Sequence, residues 1–234
     1  MLIIGHRGAK DEAPENTIES IRRGIADDAD MIEIDVRITS DGIPVLSHDS
    51  NLIRTHKQAV FINKVTLKEL VGQTKGSINP IATLEDALKE CRGMILLNIE
   101  IKSTEAVLPT LEIVKKVYKS KKSQSEELLF SSFKPRALSR IRETWPHAQL
   151  ALLHSINPLS FIAWQKKLDL SAVGFHRLHY NAFALQIAQK LNLFTYVYTE
   201  DRTGSLKKLN ERGIDGVVTN RPASMIKVAR KLTT

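Results

Sequence analysis

Short apolar runs rich in Ile, Val, Leu and Phe recur along the chain: LIIG at 2–5, MIEIDV at 31–36, ILLNIEI at 95–101, LLFSS at 128–132, QLALL at 149–153, AVGF at 172–175, LFTYVY at 193–198 and GVVT at 216–219. Most are continuous rather than alternating, as strands covered on both faces require. Between and after them the apolar spacing turns helical, at about 17–28, 83–91, 104–119, 135–143, 158–168, 181–191, 203–212 and 222–232. Asn16 with Glu19 and Thr83 with Asp86 read as helix-opening caps, and Pro109 fits a helix only in its first turn. Eight strands alternating with eight helices predict an α/β fold, the (β/α)8 TIM barrel, with right-handed crossovers.

One strand-like run is left over. IPVLSHD at 43–49 follows RITSDG, and Asp41-Gly42 predicts a tight turn. The run therefore folds back as an extra β-hairpin on strand 2 and returns His48 to about the level of Glu33 to Asp35. Residues 50–82 fit no barrel element and are read as a small insertion over the barrel mouth, with one short helix near 66–71. The expected organisation is one barrel domain spanning 1–234.

Composition agrees: 234 residues, 42% hydrophobic and 26% charged, suffice for a large core. The excess of 34 − 26 = 8 basic residues favours anionic ligands, although scattered lysines such as Lys119, Lys121 and Lys122 read as a solvated helix end. Cys91, the one cysteine, permits no internal disulfide and is expected as a small core or boundary residue. No long apolar stretch could span a bilayer and residue 3 already belongs to a strand, so a cytoplasmic protein without a transmembrane segment is expected. Aromatics, at 6%, do not interleave with basic residues, which argues against a nucleic-acid partner. The expected assembly is a monomer or a homodimer.

Functional groups of such a barrel sit at the carboxyl ends of its strands. Those ends carry His6 and Arg7; Glu33 and Asp35; His48 on the hairpin; Asn98, Glu100 and Lys102; Ser132; His154; His176; and Tyr198. Residues two apart on a strand share a face, so Glu33, Asp35 and Glu100 converge inside the mouth. Two carboxylates about 4 Å apart repel by roughly 4 kcal/mol at an effective dielectric near 20, so three require compensation. One divalent cation supplies it, and an all-oxygen donor set selects Mg²⁺ or Ca²⁺. The competing reading neutralises the acids through salt bridges to Arg7 and Lys102. His6 and His48 can exchange protons near neutral pH. Arg7 and Lys102 beside a cation suit a phosphate-bearing substrate, and paired histidines suit cleavage of a phosphodiester.

The stretches HRGAKDEAPENTIES, DMIEIDVRITSDGIPVLSHD, IATLEDAL, NIEIK, SSF and RGIDGVVTNRP closely resemble the glycerophosphodiester phosphodiesterases, from residue 5 to residue 222. The resemblance implies hydrolysis of a small-molecule glycerophosphodiester to glycerol 3-phosphate and an alcohol. It implies His6 and His48 as the acid/base pair, Glu33, Asp35 and Glu100 as metal ligands, and Arg7 and Lys102 as phosphate contacts. Glu15, Asn98, Phe133, His176 and Tyr198 are expected as bracing or pocket residues. Tyr198-Thr199-Glu200-Asp201 departs from the family's Trp-Thr-Val-Asn, which leaves open whether Glu200 and Asp201 alter metal or alcohol preference. His176, Arg177 and His179, just past the sixth of these strands, are read as solvated or structural, with contact to the leaving alcohol or a second phosphate as the alternative. The alternative reading is lysophospholipase D-type activity with the same site, to be decided by whether Leu52, Ile53, Val60, Phe61 and Ile62 form an open groove or a packed lid. A non-enzymatic phosphate-binding protein would leave the carboxylates without a role.

Overall fold

The computed structural model describes residues 1–119, 126–154 and 156–232. Its strands are β1 (Leu2–Gly5), β2 (Met31–Ile38), β3 (Pro44–Leu46), β4 (Leu96–Ile101), β5 (Leu128–Ser132), β6 (Gln149–His154), β7 (Ala172–His176), β8 (Phe194–Tyr198) and β9 (Gly216–Thr219). All but β3 run parallel in the order β1-β2-β4-β5-β6-β7-β8-β9, and the ring closes because β1 pairs with both β2 and β9. This is the eight-stranded TIM barrel, with β3 outside the ring. The antiparallel hairpin sets Val36 opposite Leu46 and lets Ser47 donate its backbone N–H to Asp35, which returns His48 to the level expected from the turn.

Outward-facing strand residues such as Ile32, Ile34, Leu97, Ile99 and Val173 form the main core with the helices. Inside the ring a smaller cluster includes Ile4, Met31, Leu129, Leu153, Tyr196 and Val218. Tyr196 lies in register between Gly174 on β7 and Gly216 on β9. A Cβ on Gly174 would come within 2.8 Å of the Tyr196 ring and 2.5 Å of Leu153, so the glycine makes the space the phenol occupies. Gly174→Ala is accordingly expected to cost about 1–3 kcal/mol through overpacking, seen as a lower Tm in thermal unfolding; an unchanged Tm would contradict this packing.

The cap expected at Asn16 is made instead by Thr17, whose hydroxyl accepts the Ser20 N–H and opens helix Ile18–Ala26. Asn16 adopts φ 58° and turns its amide onto Asp35. Thr83 caps helix Leu84–Cys91 as expected, Cys91 is buried, and Pro109 stands in the first turn of helix Val107–Val117. Lys119 follows that helix, whereas Lys121 and Lys122 lie outside the described residues. The helix expected over 203–212 begins as a 3-10 turn, Thr203–Ser205, before Leu206–Glu211.

The segment 50–82 holds helices Ile53–His56 and Leu67–Thr74 and a 3-10 turn, Ile62–Lys64. Leu52, Ile62 and Leu70 bury one another against Val45 of the hairpin, while Ile53 and Phe61 stay half exposed. Thr66 and Glu69 form a complete capping box that the sequence reading did not single out. Among the described residues no helix is long and apolar enough to cross a membrane.

Candidate active site

The first strand ends in a loop that leaves no room for side chains at its glycines. A Cβ on Gly5 would sit 2.2 Å from the Gly8 carbonyl, and one on Gly8, at φ 93°, would strike Ser20. Both glycines therefore serve loop closure and helix packing. Within this loop the His6 N–H bonds the Thr219 carbonyl and the Arg7 N–H bonds Glu33 Oε2. His6 Nδ1 lies 2.6 Å from Asn220 Oδ1. Asn220 Nδ2 in turn donates to Asp201 Oδ2, so the amide must present its oxygen to His6, and Nδ1 carries the imidazole proton. The lone pair is left on Nε2, 4.0 Å from Glu33 Oε2. Burial, followed by the charge of Arg7, lowers the His6 pKa to about 4, so the ring is neutral at pH 7.

Asn220 and Asp201 were missed as His6 partners because residues 6, 201 and 220 meet only when β1 closes on β9. Asp201 thus faces the His6 support, and Glu200 pairs with Arg202 at 2.9 Å.

β2 and β4 pair Glu33 with Asn98 and Asp35 with Glu100, and the inward faces bring three buried carboxylates together. One oxygen from each of Glu33, Asp35 and Glu100 lies within 4.8 Å of the others, an acidic triad that could hold a metal ion. Lys102 Nζ stands 2.6 Å from Asp35 and 2.5 Å from Glu100, and Arg7 Nε 3.2 Å from Asp35. The salt bridges weighed in the competing reading are therefore present. They do not exhaust the acids, since the buried Glu33 Oε1 has no partner. Burial opposes ionisation of Asp35, but Lys102 and Arg7 outweigh it and hold the carboxyl far below its usual range. Burial, then the Asp35 charge, pushes Glu33 well up and Glu100 to about 7. Two cations for three buried carboxylates leave one charge uncompensated, and the oxygen-only set fits a hard divalent ion.

His48, half exposed on the hairpin, lies with Nδ1 2.7 Å from Asp49 Oδ1, and Arg37 donates twice to the His48 carbonyl. Arg54 from the insertion bonds Asp49 and both oxygens of Glu15, and Glu15 also accepts from Arg7 at 2.7 Å. Glu15 therefore contacts Arg7 rather than His6, and the insertion is tied to the mouth through the same carboxylate. Burial would raise the Glu15 pKa, yet hydrogen bonds from Arg54 and Arg7 lower it to about 2. A depressed carboxylate contributes stability above its unfolded value near 4.5, and that contribution fades as pH falls toward 2. Glu15→Gln is thus expected to cost about 1–3 kcal/mol at pH 7, less than a fully buried pair because Arg54 is exposed, and to shrink the difference in Tm between pH 7 and pH 3. Equal acid sensitivity of the variant and the wild type would contradict this.

The cleft beside the triad has an acidic wall of Glu33 and Glu100 with His6, a polar floor of Asn98, Ser131 and Tyr196, and a partly apolar side of Phe133, Leu153 and Tyr198. Phe133 stacks edge-to-face on Tyr198, whose hydroxyl donates to the His154 carbonyl at 2.5 Å. Two residues from the strand-end reading point elsewhere. Ser132 faces outward and donates to the Ile101 carbonyl, leaving the inward place to Ser131, and the His154 ring packs outward on Phe175. His176 leans on Tyr198 and stacks with His179 at the rim.

Residues 6–224 match the sequence profile of the glycerophosphoryl diester phosphodiesterase family. The chain is 29% identical over 242 residues to a glycerophosphodiester phosphodiesterase of Caldanaerobacter subterraneus subsp. tengcongensis, covering 98% of each chain. Its fold is similar to that of an Oleispira antarctica phosphodiesterase solved in complex with the product sn-glycerol-3-phosphate, with TM-score 0.86, 25% identity and coverage of 98% and 97%. It is also similar to the glycerophosphodiester phosphodiesterase of Thermotoga maritima, with TM-score 0.83, 28% identity and coverage of 97% and 98%.

Proposed function

The chain belongs to the glycerophosphoryl diester phosphodiesterase family, and from that premise we propose that it hydrolyses glycerophosphodiesters to glycerol 3-phosphate and an alcohol with the help of one divalent cation, Mg²⁺ or Ca²⁺. The observation that carries this reading is the buried triad of Glu33, Asp35 and Glu100, one oxygen of it unpartnered, beside a neutral His6. Those three carboxylates would hold the ion, which when bound supplies positive charge beside the phosphoryl oxygens.

The other steps belong to the side chains. Lys102 and Arg7 bring positive charge to the same place and attract the phosphate. His6, its Nδ1–H fixed by Asn220, offers Nε2 to take a proton from the attacking water, whose oxygen becomes the new phosphoryl oxygen of glycerol 3-phosphate. His48, oriented by Asp49, delivers a proton to the departing alkoxide oxygen. The P–O bond to the alcohol breaks as the new P–O bond forms, and the two imidazoles exchange roles through solvent for the next turnover.

Packing of Leu52 and Ile62 into the insertion's own cluster supports a small alcohol rather than an acyl chain seated in the insertion. Incubation with glycerophosphocholine, glycerophosphoethanolamine and lysophosphatidylcholine separates the readings. Glycerol 3-phosphate is expected from the first two. Preferential conversion of the third to lysophosphatidic acid would favour the lipid reading instead.

A further inference from the structure

Tyr196 is a polar side chain placed where the barrel needs only bulk. It points into the ring, is 1% exposed, and is accommodated by the glycine at its side on β7. A phenylalanine would fill the same volume, so the hydroxyl calls for its own account. Around it the cleft floor holds Asn98, 1% exposed, and Ser131, fully buried. Tyr196 Oη reaches toward the Asn98 amide, yet Tyr196 Oη, Asn98 Oδ1 and Ser131 Oγ all lack a hydrogen-bond partner. Three polar groups buried without partners each carry a desolvation penalty of about 1–3 kcal/mol, which a ligand presenting matched hydroxyls would relieve.

We infer that Tyr196, Asn98 and Ser131 form the subsite that recognises the hydroxyl groups of the glycerol moiety, while the Phe133–Tyr198 side faces the variable alcohol. The inference rests on the glycerophosphodiester reading above. Donors and acceptors match: the phenol and the serine hydroxyl can donate or accept, and the Asn98 carbonyl accepts. Burial keeps the phenol protonated, so it remains a donor at working pH. The two walls also differ in kind. The floor is polar and closed, whereas Phe133 is 42% exposed and tolerates groups of different shape. A site that pairs its buried polar groups with substrate hydroxyls discriminates strongly against analogues lacking them, because those groups are then left unpaired.

The test compares the p-nitrophenyl ester of glycerol 3-phosphate with propyl p-nitrophenyl phosphate, which lacks both hydroxyls, by release of p-nitrophenolate with added Mg²⁺ or Ca²⁺. The wild type is expected to favour the glycerol diester in kcat/KM by about 100-fold or more. Tyr196→Phe, which keeps the ring and removes only the hydroxyl, is expected to shrink that ratio at least about tenfold, and Ser131→Ala to shift it in the same direction. Thermal unfolding of both variants accompanies the kinetics, and the ratio itself is insensitive to the fraction of folded enzyme. Equal kcat/KM for the two esters in the wild type, or a ratio preserved in both variants, would overturn the floor and leave the hydroxyls to be read elsewhere. A wild type that cleaves neither ester with either cation would contradict the phosphodiesterase reading itself.

Discussion

His6→Ala and His48→Ala are each expected to lower kcat for release of glycerol 3-phosphate by about 10²–10⁴-fold, the usual contribution of a positioned acid or base. For His6 the hydrogen bonds themselves determine the tautomer. Asp201 fixes Asn220, Asn220 accepts from Nδ1, and Nε2 remains as the basic atom beside the acidic triad. Asn220→Ala should therefore lower kcat by less than His6→Ala does. It removes the partner that orients the ring and leaves the ring itself. For His48 the partner is Asp49, held in turn by Arg54. Near-normal turnover in His6→Ala or in His48→Ala would remove that residue from the proposed pair.

The second large effect is expected from Glu100→Gln. The substitution keeps the shape of the side chain and removes one charge of the triad, so affinity for Mg²⁺ or Ca²⁺ should fall by more than about 100-fold, the upper scale at which even groups supporting metal ligands act. Stability should move the other way. Burial and the Asp35 charge raise the Glu100 pKa to about 7, and a carboxyl with a raised folded pKa destabilises the fold increasingly as pH climbs from about 4.5 toward 7. Without a cation, Glu100→Gln is thus expected to keep or raise Tm at pH 7.5, since Lys102 retains Asp35 as its partner. Isothermal titration and thermal unfolding in chelator read the two effects. Unaltered cation binding would remove Glu100 from the ligand set, and a clear loss of Tm would show that its role is structural.

The strands were legible because a doubly covered parallel strand is continuously apolar, and the polar residues interrupting such runs, Glu33, Asp35, Asn98 and Glu100, therefore stood out. The hairpin was legible from Asp41-Gly42, and its turn fixed the level of His48. What the sequence hid depends on contacts between distant segments. Asn16 has the chemistry of a helix cap, but Thr17 takes that place and the Asn16 amide goes to Asp35. Ser131 and Ser132 differ by one position, and only the pleat decides which faces the cleft. The short helices of the insertion carry weak local signals and rest on a cluster shared with Val45. The link from Asp201 through Asn220 to His6 has no counterpart in local spacing, and Tyr196 looked like one more apolar strand residue.

In the proposed reaction three convergent carboxylates hold a cation needed for cleavage of a glycerophosphodiester. That requirement is tested most directly by stripping the protein with EDTA and following glycerol 3-phosphate released from glycerophosphocholine and glycerophosphoethanolamine as Mg²⁺ or Ca²⁺ is added back. No release in chelator and recovery that saturates with the added ion is the result this account predicts. Full activity in chelator would contradict it.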